Sequence, residues 1–266
     1  MAALVELSRH ALDANRPIEP SVYLKASGEI VFVMVAVSTV ITYFAMPSMF
    51  SDNPVLNSVG YNNICITWDQ PPAKYAAAML YTVSIYCAWR YSILDSMRAS
   101  LTPGLSSSRR YFTYVTNTLY MVSAIIILGI FLIAPNADNT WREGENFTMH
   151  YLCFAQVVPV RLLVVLANYY EAEVVTRPQW IFLAVFSLAS VLLAVLGTYD
   201  VIMSQSRGAP QIPPNVMMVI DYTWVLCLPL IGKFWPVQPK LFVAATIMTV
   251  VPSSPEFQSP KADSQP

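Results

Sequence analysis

Three polar side chains stand inside an apolar run long enough to cross a bilayer. In residues 146–173, His150, Arg161 and Asn168 recur at spacings of 11 and 7. At about 100° per residue they fall within roughly 20° of one another on a straight helix. An imidazole titrates near neutrality, a guanidinium stays charged, and an amide both donates and accepts. Such a stripe inside a membrane segment is costly and usually faces protein or water, which makes it a functional-site candidate. Counted inward from Thr148, Arg161 lies roughly 20 Å below the outer surface and about 10 Å above the inner one. Its insertion cost is about 2.5–3.5 kcal/mol. Two readings stay open: a side chain bonded to backbone carbonyls freed by Pro159 or reaching the inner headgroups, or a counter-charge for an acid or an anionic substrate.

Two acids complete the candidate set. Asp221 sits roughly 9 Å below the outer surface if its span begins at Asn215, and Asp200 lies near the outer boundary, as does His150. The expectation is an outward-facing cluster of His150, Asp200 and Asp221 that binds a cation or relays protons, with Arg161 and Asn168 deeper. Against it stands the plainer reading of Asp200 as a helix-end residue and His150 as an interfacial one. No acid is expected at the depth of Arg161.

The elements that must hold these residues follow from composition. The chain has 266 residues, 56% hydrophobic and 12% charged, with a net charge of −1. Soluble domains carry about a quarter charged residues, so this chain belongs with membrane proteins. Its near-zero charge gives no electrostatic case for nucleic acid. Apolar runs at 29–46, 73–94, 111–134, 146–173, 179–199 and 215–235 predict six spans. The expected fold class is all-α: a polytopic membrane protein built as a bundle of six transmembrane helices. Residues 1–28 form a cytoplasmic N-terminal tail, in which 2–14 is either a short amphipathic surface helix or a solvated tail. Residues 29–235 form the transmembrane domain, and 236–266 a cytoplasmic tail whose Pro/Ser-rich end from 252 is disordered. The run 241–251 is too short to cross, since a span needs about 20 residues. It is read as interfacial or packed on the bundle.

Orientation follows from the basic residues. With six spans, Arg9, Arg16, Lys25, Arg98, Arg109, Arg110, Arg177, Lys233, Lys240 and Lys261 share one side, and only Arg142 and Arg207 the other. The positive-inside rule then puts both termini in the cytoplasm. The long loop 48–72, without Lys or Arg, lies outside. A loop of that length is expected to be functional or folded on its neighbours. The sequon Asn146-Phe147-Thr148 falls outside too, close to the membrane, as a candidate glycosylation site. A Cys65–Cys153 disulfide is open on that topology, although spacing alone does not decide it. Ser254 and Ser259 are Ser-Pro steps open to phosphorylation.

Several chemistries are set aside. Two histidines, His10 and His150, are too few for a histidine-based zinc hydrolase or for a bis-histidine haem across two helices. No Lys occupies mid-span for a Schiff base, and no GxSxG, Walker A or GxGxxG sequence occurs. No cofactor is called for. Pro159 and Pro229 interrupt spans four and six, which also carry the clearest intramembrane charges. Proline in a span frees a carbonyl and bends the helix, as where helices line a polar cavity. Small residues Ser187, Ser190, Ala194 and Gly197 make a close-packing seam on span five. The leading expectation is a transporter or channel-like protein moving an ion, proton or small solute through a cavity between spans four and six. A non-catalytic regulator or assembly factor, acting through a membrane-protein partner or a homo-oligomer, is the alternative. A lipid-modifying enzyme is the third.

Overall fold

The computed structural model describes residues 1–12, 18–135, 146–172 and 174–236, and the strand backbones at 240–243 and 248–251. The loop with Arg142, the tail from 252 and its Ser254 and Ser259 lie outside the described residues. The architecture is helical. Helices α1 (Ala2–Leu12), α2 (Ser21–Ala45), α3 (Pro54–Val59), α4 (Ala73–Leu101), α5 (Ser107–Ile126), α6 (Gly129–Leu132), α7 (Phe147–Ala155), α8 (Val157–Glu171), α9 (Arg177–Leu192), α10 (Thr198–Arg207) and α11 (Pro214–Cys227) follow in order. Strands β1 (Lys240–Val243) and β2 (Met248–Val251) then pair antiparallel. The two ends of the apolar run at 241–251 are thus strand backbone.

Among the described residues four helices are long and apolar enough to cross a membrane: Ser21–Ala45, Ser107–Leu132, Phe147–Glu171 and Arg177–Ser204. The other two expected spans differ for stated reasons. Helix α4 has 29 residues but carries Lys74, Arg90, Asp95 and Arg98, and α11 has only 14 residues, because Pro229 breaks it into the turns of 228–234. Helix α2 begins at Ser21, eight residues before the expected span, and its first turns are buried. The bundle runs α2 against α4, α4 against α5, α5 against α8, α8 against α9 and α9 against α11. Gly28 closes the ring: a Cβ there would lie 3.2 Å from Arg161 Nη2 and 3.3 Å from the Leu228 carbonyl oxygen, so the missing side chain lets α2 approach both.

Local signals place the breaks. Span four divides at Gln156, between α7 and α8, because Pro159 cannot donate to the turn before it. The Gln156 amide patches that turn by donating to the Cys153 carbonyl at 2.9 Å and to the Ser123 carbonyl at 3.3 Å. Span five passes through a π-turn at Leu193–Gly197. Of its expected seam, Ser190 and Gly197 are buried, while Ser187 and Ala194 are only partly so. All four cysteines are free, so Cys65 and Cys153 do not pair.

The 48–72 loop is folded, as its length demanded. It holds two 3-10 turns, Pro47–Phe50 and Ile64–Thr67, around α3. Asn53 caps α3 by accepting from the Leu56 amide, Pro54 takes the first turn, and Gly60 ends the helix at φ +79°. A Cβ on Gly60 would sit 2.6 Å from Pro214 Cγ, in a ring that cannot swing aside. Gly60→Ala is therefore expected to lose roughly 1–3 kcal/mol from backbone strain alone. Thermal unfolding in detergent checks it, and an unchanged midpoint would refute this account of the loop's seat.

Candidate functional site

Polar groups in the bundle gather in three places, and the sequence-predicted residues are divided among them. The first is a cavity of about 60 Å³ ringed by α2, α4, α5, α8, α11 and the 64–68 loop. Arg161 lies on its wall, 7% exposed. Its Nη1 donates to Tyr120 Oη at 2.6 Å, and its guanidinium carbon lies 5.5 Å from the Tyr120 ring centroid. Nε and Nη2 have no acceptor. No acid pairs with it among the described residues. Ser27 and Ser84 share a 2.8 Å hydroxyl contact on the same wall. The cavity lies among α2, α4, α5, α8 and α11, which is wider than the expected cavity between the fourth and sixth apolar runs.

The second place is the end covered by the 48–72 loop. His150 and Asp200 line one cavity of about 40 Å³ with Tyr61, Asn63 and Tyr151. Asp221 joins them through the loop: Asn63 Nδ2 donates to its Oδ2 at 2.8 Å and Tyr61 Oη reaches the same oxygen at 3.5 Å. Asp200 Oδ1 accepts the Gln211 and Ile212 amides at 2.7 and 2.9 Å, so it holds the turn before α11. Asp200 itself stands within a helix that continues to Arg207, and not at the helix end where the plainer reading put it. His150 is buried rather than interfacial. Its Nδ1 meets the Ile133 carbonyl at 2.7 Å and so carries the proton there, and its Nε2 lies 3.4 Å from Asp69 Oδ1. Among the described residues no hydrogen bond joins His150 to Asp221.

Asp69 is the residue sequence reasoning missed here. It lies in the loop, is buried, and neither oxygen has a hydrogen-bond partner. Burial pushes its carboxyl up to about 8, against a smaller pull from Lys74. Burial also raises the Tyr61 phenol and the Cys65 thiol, with nearby carboxylates adding to both. Asn146, the candidate sequon residue, is buried and caps α7 by accepting from the Met149 amide at 2.8 Å.

The third place lies toward the other end of α4, between the expected spans 73–94 and 111–134. The helix instead runs to Leu101 and buries Asp95, Arg98 and, from α8, Glu171, at 2%, 3% and 5% exposure. Arg98 Nε donates to Asp95 Oδ1 at 2.8 Å, and its Nη2 bridges Asp95 and Glu171. Thr113 bonds Glu171, and Asn117 Nδ2 donates to Asp95 Oδ2 at 3.0 Å. Asn168 belongs to this network: its Nδ2 donates to Tyr91 Oη at 2.7 Å, and Tyr91 in turn donates to Asp95 at 3.3 Å.

So His150, Arg161 and Asn168 do share the buried face of one broken helix, but they serve three separate environments. Among the described residues no group of three or more His, Cys, Asp or Glu is placed to hold a metal ion. The chain matches no family model, no curated protein and no solved structure.

Proposed function

We propose that this is a six-span membrane protein of the transporter or channel-like class, with cytoplasmic termini and its solute site in the cavity at Arg161. The observation that carries the reading is the unpaired guanidinium on that cavity's wall. An unpaired buried charge costs several kcal/mol, so a chain that needed Arg161 only to orient helices would gain by pairing or losing it. A cavity that receives a solute accounts for both the charge and the space beside it.

Two further features support the count of spans and a route. On α4 the exposed large apolar side chains from 75 to 93 are Tyr75, Met79, Val83, Tyr86, Trp89 and Ile93, with Thr82 among them, while Ser84, Ser92, Asp95 and Arg98 are buried. From Tyr75 to Ile93 that apolar stripe runs about 27 Å, close to the hydrocarbon thickness of a bilayer. Helix α11 repeats the pattern, with Val219, Tyr222 and Leu226 exposed and Asp221 buried. Both helices turn apolar groups outward, which suits lipid and not water. Phe154 borders both cavities and packs edge-on against Trp224 at 5.9 Å, so one aromatic pair stands between the loop-covered end and Arg161. His150 and Asp221 then act by holding the loop over this vestibule, in place of the relay first expected.

Reconstitution into liposomes tests the reading. Purified protein is expected to carry an ion or small solute, and Arg161→Gln to reduce that flux at least tenfold while keeping the wild-type elution profile. Wild-type flux in Arg161→Gln, or a stable partner recovered from a protein with no flux of its own, would remove the solute site and favour a regulator.

A further inference from the structure

The walls of the Arg161 cavity say what kind of solute they accept. Among the described residues Arg161 is the only charged one that lines it. Besides Arg161 Nε and Nη2, the indole nitrogens of Trp68 and Trp224, two more lining residues, are buried without an acceptor. Unmet hydrogen-bonding capacity around this space is therefore donor capacity, since guanidinium and indole N–H groups cannot accept. The hydroxyls do not fill it: Ser27 and Ser84 bond each other, and Tyr120 already accepts from Arg161. Tyr81 adds one more phenol to the wall, and the other lining residues are apolar, including Met34, Ile127, Val157 and Leu228.

The geometry points to a small monovalent anion as the ligand, seated between Arg161 and the two indoles. This deepens the solute-site reading above and rests on it for any role in transport. Charge sets the valence. One guanidinium with no carboxylate partner is neutralised by one negative charge, whereas a dianion leaves a net charge among apolar walls, where it is poorly screened. Volume sets the size: about 60 Å³ corresponds to on the order of four water-sized spheres. That admits a halide, nitrate or a two-carbon carboxylate, and it excludes a phospholipid headgroup. The apolar lining favours ions that shed water readily, as the guanidinium itself does.

The experiment is an anion titration of the full chain, purified in detergent with sulfate as the sole anion. Sodium chloride, nitrate and acetate are added against sodium sulfate at matched ionic strength. Tryptophan emission and the thermal midpoint are read together, because Trp68 and Trp224 would flank the bound ion. The expected result is a saturable response to chloride or nitrate, with sulfate at least tenfold weaker. Acetate distinguishes a carboxylate site from a halide site. Arg161→Gln is expected to weaken the response at least tenfold, and Trp224→Phe, which keeps an aromatic ring but loses the donor, several-fold. An equal response to sulfate, or none to any monovalent anion, overturns the proposal, and the wild-type titration decides this even if Arg161→Gln fails to fold. Saturable binding without flux upholds the anion site and sinks transport. Flux of a cation or neutral solute with no anion response sinks the anion site and leaves transport standing.

Discussion

Replacing Arg98 with methionine is expected to destabilise the protein by about 3–5 kcal/mol, the usual cost of stripping one partner from a buried ion pair. Arg98 lies between Asp95 and Glu171, with all three almost fully buried. Without the guanidinium, two carboxylates remain on facing helices with only Tyr91, Thr113 and Asn117 to bond them. Lysine is a poor substitute, since one ammonium cannot reproduce the Nε and Nη2 fork that holds both acids. The charge argument makes a second demand. Adding Asp95→Asn and Glu171→Gln to Arg98→Met removes the stranded charges, so the triple variant should recover most of the lost stability. Thermal or denaturant unfolding in detergent measures both. If Arg98→Met unfolds with wild type, or the triple variant is worse than the single one, the network does not hold α4, α5 and α8 as described.

That network also shows where hydropathy stops being informative. The segment DSMRASL reads as a linker because it is polar, yet α4 continues through Arg98 with its polar side facing inward. In a bilayer the buried face is the one that tolerates charge, so a hydropathy drop does not separate a solvated loop from a buried ion network. Long apolar runs, the end of α2 just before Pro47 and the break before Pro159 were legible, because they depend on local sterics.

The burial of the five candidate residues was legible, and their partners were not. His150, Arg161, Asn168, Asp200 and Asp221 are all buried, but depth arguments on straight helices could not find what each meets. Asp69 reaches His150 only because the 48–72 loop folds back over the bundle, a tertiary event with no periodic signature. One signal was available and unused: Thr113, Thr116, Asn117, Tyr120 and Ser123 recur at helical spacing along α5 and form its buried face. That stripe supplies Tyr120 to Arg161 and Asn117 and Thr113 to the acid network.

Raising the pH from 6.5 to 8 is expected to weaken the fold through Asp69, by about 1.4 kcal/mol per pH unit and about 2 kcal/mol in all. Burial lifts the folded-state carboxyl to about 8 from an ordinary value of 3.8, so between those values the folded protein holds a proton that the unfolded chain has released. Stability from that proton is complete below the unfolded value and is lost as pH climbs through the folded one. An unfolded histidine is mostly neutral above about 6.5, so the chosen window separates Asp69 from its neighbour His150. The geometry gives the proton a place: Nδ1–H of His150 is committed to Ile133, which leaves Nε2 an acceptor facing Asp69. Asp69→Asn mimics the protonated acid, because its amide can donate to Nε2 without titrating. Its unfolding midpoint in detergent should therefore gain on wild type steadily from pH 6.5 to 8. Parallel curves for the two proteins across that window would show that Asp69 does not hold the proton that seats the loop.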